Sequence, residues 1–140
     1  MADKEFQFSL PLAELIDRLT VDQIKEVSIP QDRESFAKEM KKISHDIDLM
    51  IEKKKLRLSS RLIRIIIVLS QMNLHIWHNK DKMQKEPQNY NELLKLSHQL
   101  NGIRNQMKNL LLEEAGDKEK SAQRTNFNTD GLEGWNISIE

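Results

Sequence analysis

The sequence predicts an all-α protein: a bundle of about four helices with heptad-like seams, followed by a polar C-terminal tail. Between Pro30 and Pro87 the chain holds no other proline and no glycine, the two residues that most strongly punctuate a fold. Aromatic residues make up 5% of the 140 residues, so the ring-bearing side chains that enrich strands are scarce. Two segments space their apolar residues three and four apart, the period of one helix face. The bundle is expected over residues 1–116 and the tail over 117–140.

The first helix is expected over Leu12 to Val27, with Leu12, Leu15, Ile16, Leu19, Ile24 and Val27 along one face and Pro11 at its start, where a missing N–H does no harm. Thr20-Val-Asp-Gln23 has the form of a capping box, so the segment reads either as one helix or as two short ones. Ser28-Ile-Pro-Gln31 has the same form and is expected to open the second helix. That helix carries Phe36, Met40, Ile43, Ile47 and Met50 at 4-3-4-3, a seam that predicts long antiparallel packing against its neighbours. A basic stretch then runs into Ser59 and Ser60, either of which suits the N-cap of the third helix.

The segment from Arg61 to His78 is apolar nearly all round at its start. Its length, with no partner strands in the chain, favours a central helix over a buried strand. After Pro87, Asn89-Tyr-Asn-Glu92 supplies another start signal, and Leu93, Leu96, Leu100, Ile103, Met107 and Leu110 follow at 3-4-3-4-3. Gly116 stands where a C-cap glycine belongs. The tail beyond it reads either as an extension or as an arm that docks through Phe127, Leu132 and Trp135.

Composition excludes several classes of protein. Without cysteine there is no disulfide scaffold, no thiolate metal site and no cysteine nucleophile. The longest apolar run, Ile65 to Leu69, falls far short of the roughly 18 residues a membrane span needs. Met1 to Pro11 also lacks the basic start and long apolar stretch of a signal peptide, so a cytoplasmic protein that engages no membrane is expected.

Lys+Arg and Asp+Glu both number 22, but they are unevenly spread. Residues 35–112 hold fifteen bases and seven acids, against four and eight in residues 1–34 and three and seven in residues 113–140. Acidic flanks would repel a polyanion, and no aromatic platform is interleaved with the bases, which argues against nucleic acid as a partner. The acidic ends are expected instead to fold over the basic middle. No glycine-rich phosphate loop is present, and Ser70, Ser97 and Ser121 have no His–acid pair beside them in sequence.

The polar residues that need explaining gather on the third and fourth helices. Leu62, Ile66, Leu69, Asn73 and Ile76 form one seam, which puts an amide at a core position where lack of a partner costs roughly 1–3 kcal/mol. Trp77 and Asp81 follow near the same face, with His78 one step round. This predicts either a polar pocket in the bundle or an internally satisfied network that fixes helix register. Asn101, Arg104, Asn105 and Lys108 form a strip beside the fourth helix's seam, suited to a phosphate or sugar, or else to an Arg104 paired inside the bundle with Glu14, Asp17 or Asp81. Glu14 and Asp17 share the one-turn spacing of His75, His78 and Asp81, so Glu14, Asp17 and Asp81 are the candidate ligands for Mg²⁺ or Mn²⁺.

Trp77-His78-Asn79-Lys80-Asp81, with Asn73 before it and Leu100-Asn101-Gly-Ile-Arg104-Asn105 after it, resembles a bacterial family of unknown function marked by a Trp-His-x-Glu-Asp motif. The resemblance covers residues 73–114, and Glu14-Leu-Ile-Asp17-Arg18-Leu looks like a further segment of that family. There it runs directly into the Trp-His region, whereas here some fifty residues intervene. The family implies a small cytoplasmic helical protein in which Asn73, Trp77, His78, Asp81, Asn101, Arg104 and Asn105 act together. Lys80 stands where the family has Glu, and an ammonium in place of a carboxylate weakens any metal site borrowed from the motif.

Three functional expectations follow. The first is a binding or accessory protein that needs no cofactor and holds a small polar or phosphorylated ligand, or a partner chain, at the strip between the third and fourth helices. Arg104 would take the anion, Asn73 and Asn105 would orient it, and Trp77 would wall the site. The second is a hydrolase of nucleotides or other phosphate esters that uses Mg²⁺ or Mn²⁺, with His78 as acid or base. The third is a scaffold whose heptad seams, coiled-coil fashion, make a homodimer.

Overall fold

The computed structural model describes residues 5–116 and residue 139. Four helices make up the fold: α1 (Leu12–Ser28), α2 (Arg33–Lys54), α3 (Ser60–Lys85) and α4 (Tyr90–Glu114), with no strand among the described residues. The all-α bundle predicted from glycine, proline and apolar spacing is the fold observed.

Local chemistry explains where each helix starts and stops. α1 is one helix because Thr20 donates its hydroxyl to the Asp17 carbonyl at 2.7 Å, a bond within the helix rather than a cap. The capping box expected at Ser28 does not form. Ser28 ends α1, Pro30–Asp32 makes a 3₁₀ turn from the fixed φ of proline, and α2 starts at Arg33 with no side-chain cap. α2 ends on Lys55 in the left-handed region, at φ 52°, where the Leu56 N–H closes on the Ile51 carbonyl at 3.1 Å. Ser59 caps α3 by accepting from the Leu62 N–H at 3.1 Å, as its position before the apolar run predicts. Gly116, at φ 73°, terminates α4 as expected.

α1 pairs antiparallel with α2, and α3 with α4. α1 joins the two hairpins, since it packs on α3 and α4 as well, whereas among the described residues α2 packs on α1 and touches neither α3 nor α4. The core therefore sits between α1, α3 and α4, built from Leu12, Ile16, Ile65, Leu69, Met72, Leu100, Ile103, Met107 and Leu111. In the α2 seam Ile43 is buried, but Ile47 and Met50 only reach the core's edge. The seam that predicts several neighbours finds one.

Among the described residues that placement leaves α3 open on one side. Ile65, Val68, Leu69 and Met72 are buried, while Ile63, Ile67 and Leu74 on the opposite face are 42, 52 and 43% exposed. Residues 5–11 run across α2, where the buried Asp46 carboxylate accepts from the Gln7 N–H at 2.8 Å and the Phe8 N–H at 2.7 Å. His45 donates to the Glu5 carbonyl at 2.9 Å, and Lys53 lies over the Phe6 ring. Nothing in the spacing of Asp46 marked it as the anchor of this strap. Ile139 packs half-buried against the core; Phe127, Leu132 and Trp135 lie outside the described residues. No helix among the described residues is long and apolar enough to cross a membrane.

Candidate functional site

Three helices converge on the Asp17 carboxylate. Its Oδ1 accepts from Asn73 Nδ2 of α3 at 2.9 Å and from Arg104 Nε of α4 at 3.1 Å, while Arg104 Nη2 closes on Oδ2. Asn73 Nδ2 also donates to the Thr20 hydroxyl oxygen at 2.6 Å, and Arg104 Nη1 donates to Asn101 Oδ1 at 3.1 Å. One turn along, Lys108 Nζ reaches Glu14 at 2.9 Å and stands 3.7 Å from Asp17. Asp17, Asn73 and Lys108 are buried, so this is a desolvated ionic network between α1 and the α3–α4 hairpin.

The sequence marked Asn73 as a buried amide in need of a partner and offered Glu14, Asp17 or Asp81 as partners for Arg104; the fold brings both Asn73 and Arg104 to Asp17. Glu14–Lys108, Asp17–Arg104 and Arg61–Glu114 each join an acidic flank to the basic middle.

Beside the network lies a cleft of about 280 Å³, lined by Val21, Ile24 and Lys25 of α1, Asn73, Ile76, Trp77 and Lys80 of α3, and Asn101 and Arg104 of α4. Among the described residues no carboxylate lines it. Arg104 has its charge matched by Asp17, so Lys25 and Lys80 supply the surplus. Lys25 also lies over the Phe36 ring of α2 at 5.7 Å. The floor is aliphatic and half-buried Trp77 forms one wall, so the cleft can offer cations, two amides and a flat indole to the same small ligand.

The remaining site residues are scattered. His78 is exposed. Asp81 is exposed and pairs with Lys85 one turn on at 2.9 Å, bordering a shallow depression with Trp77, Lys80 and Gln84. Asn105 is half-buried and does not line the cleft. Glu14, Asp17 and Asp81 do not assemble as metal ligands: two of them hold Lys108 and Arg104, the third holds Lys85, and among the described residues no three His, Cys, Asp or Glu side chains come together.

Sequence reasoning missed two further groups. Asn79 is buried and its Nδ2 donates to the Leu93 carbonyl and the Ser97 hydroxyl oxygen, both at 2.7 Å, tying α3 to α4. Its place six residues after Asn73 was legible, but its partner fourteen residues away was not. Lys25 carried no signal in the sequence, and Lys80 stood out only as a departure from the resembled motif; nothing there marked either as a charge of this cleft. Comparison with known proteins adds no relative: no family model, curated protein or solved structure matches the chain.

Proposed function

We propose that this chain is a small helical binding protein whose cleft between α1, α3 and α4 takes a small phosphorylated ligand. The observation that carries the reading is a cleft that, among the described residues, has three bases, two amides and an indole on its walls and no acid. Arg104 plays a different part from the one its sequence position implies. Its guanidinium is held by Asp17 and presents its remaining edge from a fixed position, so Lys80 and Lys25 take the phosphate charge and Asn73 and Asn101 orient the ligand. Trp77 stacks on whatever flat group the ligand carries. The resemblance at Trp77-His78 and Asn101 to Asn105 supports grouping these side chains.

The test uses Trp77 as reporter in a Trp135→Phe background, which leaves one tryptophan in the chain. Titration with adenosine monophosphate, and with inorganic phosphate as the ring-free comparison, should give a saturable change in fluorescence that weakens at least about tenfold in Lys80→Glu, as loss of a charge-assisted contact implies. A Trp77 signal that is flat to millimolar concentrations of both probes, or a response untouched by Lys80→Glu, rules the reading out.

The outward row of α3 favours a second reading, a scaffold that pairs with another copy. Reversing one helix against another sets Ile63 against Leu74 and Ile67 against Ser70 on both sides of a two-fold axis, an isologous match with a small residue near the centre. Sedimentation should then show a dimer that Ile67→Asp dissolves; a monomer at all concentrations excludes it.

A further inference from the structure

The α1–α2 hairpin contains a carboxyl pair that the cleft does not use. Asp22 lies on α1 with 5% of its surface exposed, and its Oδ2 is buried with no hydrogen-bond partner among the described residues. Glu39 of α2, half-buried, stands close enough for its charge to act on the Asp22 carboxyl. The other charged groups acting on Asp22 are Lys25 and Arg18, both of α1 itself. A buried polar oxygen left without a partner is rare enough in folded proteins to require a cause.

Two carboxylates at a buried interface do not both ionise without cost. A divalent cation would relieve them, but Mg²⁺ or Ca²⁺ seeks about six or more oxygens, and here two carboxyls stand near two cationic side chains. A proton held between the two carboxyls relieves the repulsion with the groups present. It also supplies the donor that a hydrogen bond between two carboxyl groups needs.

We propose that the docking of α2 on α1 is proton-linked: a proton shared by Asp22 and Glu39 clasps the two helices in mildly acid solution, and its loss near neutrality loosens α2 while α1, α3 and α4 stay packed. Burial first, and the facing Glu39 charge second, push the Asp22 carboxyl up to about 6, which places the change within the range where cells work. The topology makes α2 the part that moves, since among the described residues its helical contacts are with α1 alone. Opening it would bare Ile43 and the α1 surface beneath while leaving the core between α1, α3 and α4 intact.

The sign follows from linkage. With Asp22 at its ordinary 3.8 once α2 has opened and about 6 when docked, the open fraction grows about tenfold from pH 5 to pH 7.5. Hydrogen exchange on the full chain, corrected for intrinsic rates, reads this directly. Amides of α2 should be about tenfold less protected at the higher pH, with the buried amides of α3 and α4 unchanged. Asp22→Asn keeps the shape and removes the charge, so its α2 protection should be the same at both values; His45 stays in place, which isolates Asp22. Glu39→Gln, with Asp22 intact, should shrink the dependence. A wild-type α2 that ignores pH, a dependence that survives Asp22→Asn, or a uniform change across all four helices overturns the proposal.

Discussion

The guanidinium of Arg104 grips the carboxylate of Asp17 with two nitrogens, Nε on Oδ1 and Nη2 on Oδ2, across 87 residues of chain. Asp17 is 4% exposed, so that grip and Lys108 nearby stand in for the water its carboxylate has lost. This pair, with Asn73, holds α1 onto the α3–α4 hairpin.

Arg104→Ala should therefore destabilise the protein by about 2–4 kcal/mol, because it strands a buried carboxylate. Arg104→Lys should recover only part of the loss, since an ammonium cannot reproduce the planar fork. Urea unfolding midpoints check both. A midpoint for Arg104→Ala equal to wild type would show that the buried pair contributes nothing.

Asn73→Ala removes donors to Asp17 and Thr20 and should cost about 1–3 kcal/mol. Asn73→Asp should cost more, despite its closer shape, because it sets a second carboxylate against Asp17. Thermal unfolding of the two variants side by side gives the order; a more stable Asn73→Asp would contradict the contacts described.

Asn79→Ala leaves the Leu93 carbonyl without one of its donors and cuts the tie between α3 and α4 near their connection. The expected loss is about 1–2 kcal/mol, with amides of the first two turns of α4 exchanging faster than those near Met107. Equal acceleration along the whole of α4 would show that the tie acts on global stability instead.

Asp22 should give stability an unusual slope with pH. Its folded value of about 6 lies above the ordinary 3.8, so its contribution is complete below about pH 4 and is lost as pH rises through 6. The full swing is at most about 3 kcal/mol. The difference in unfolding free energy between wild type and Asp22→Asn should therefore drift in favour of the variant from pH 4 to pH 7. A constant difference would remove Asp22 as the source.

The four helices were legible because their causes are local. Apolar spacing, the Ser59 cap, the Gly116 stop and the proline-free stretch from Gln31 to Glu86 act within a few residues, so they can be read without knowing what lies across the core. The capping box at Ser28 was misread for the same reason: two signals overlapped there, and Pro30 prevailed by fixing its own φ. Asn73 could be recognised as a buried amide in need of a partner. Asp17 and Arg104 could be recognised as members of a polar set.

Which of those polar groups meet was decided only by the tertiary structure. The sequence determined that Asn73 needed a partner and that Arg104 could pair with Glu14, Asp17 or Asp81; the packing of α1 across α3 and α4 brought both to Asp17 and left Lys25 and Lys80 to charge the cleft. The same packing set Asp22 against Glu39, buried Asp46 under the N-terminal strap and left one face of α3 uncovered. Periodicity fixes which face of a helix is apolar, but the neighbour that covers it is chosen by contacts between residues distant in sequence, and no local signal records them.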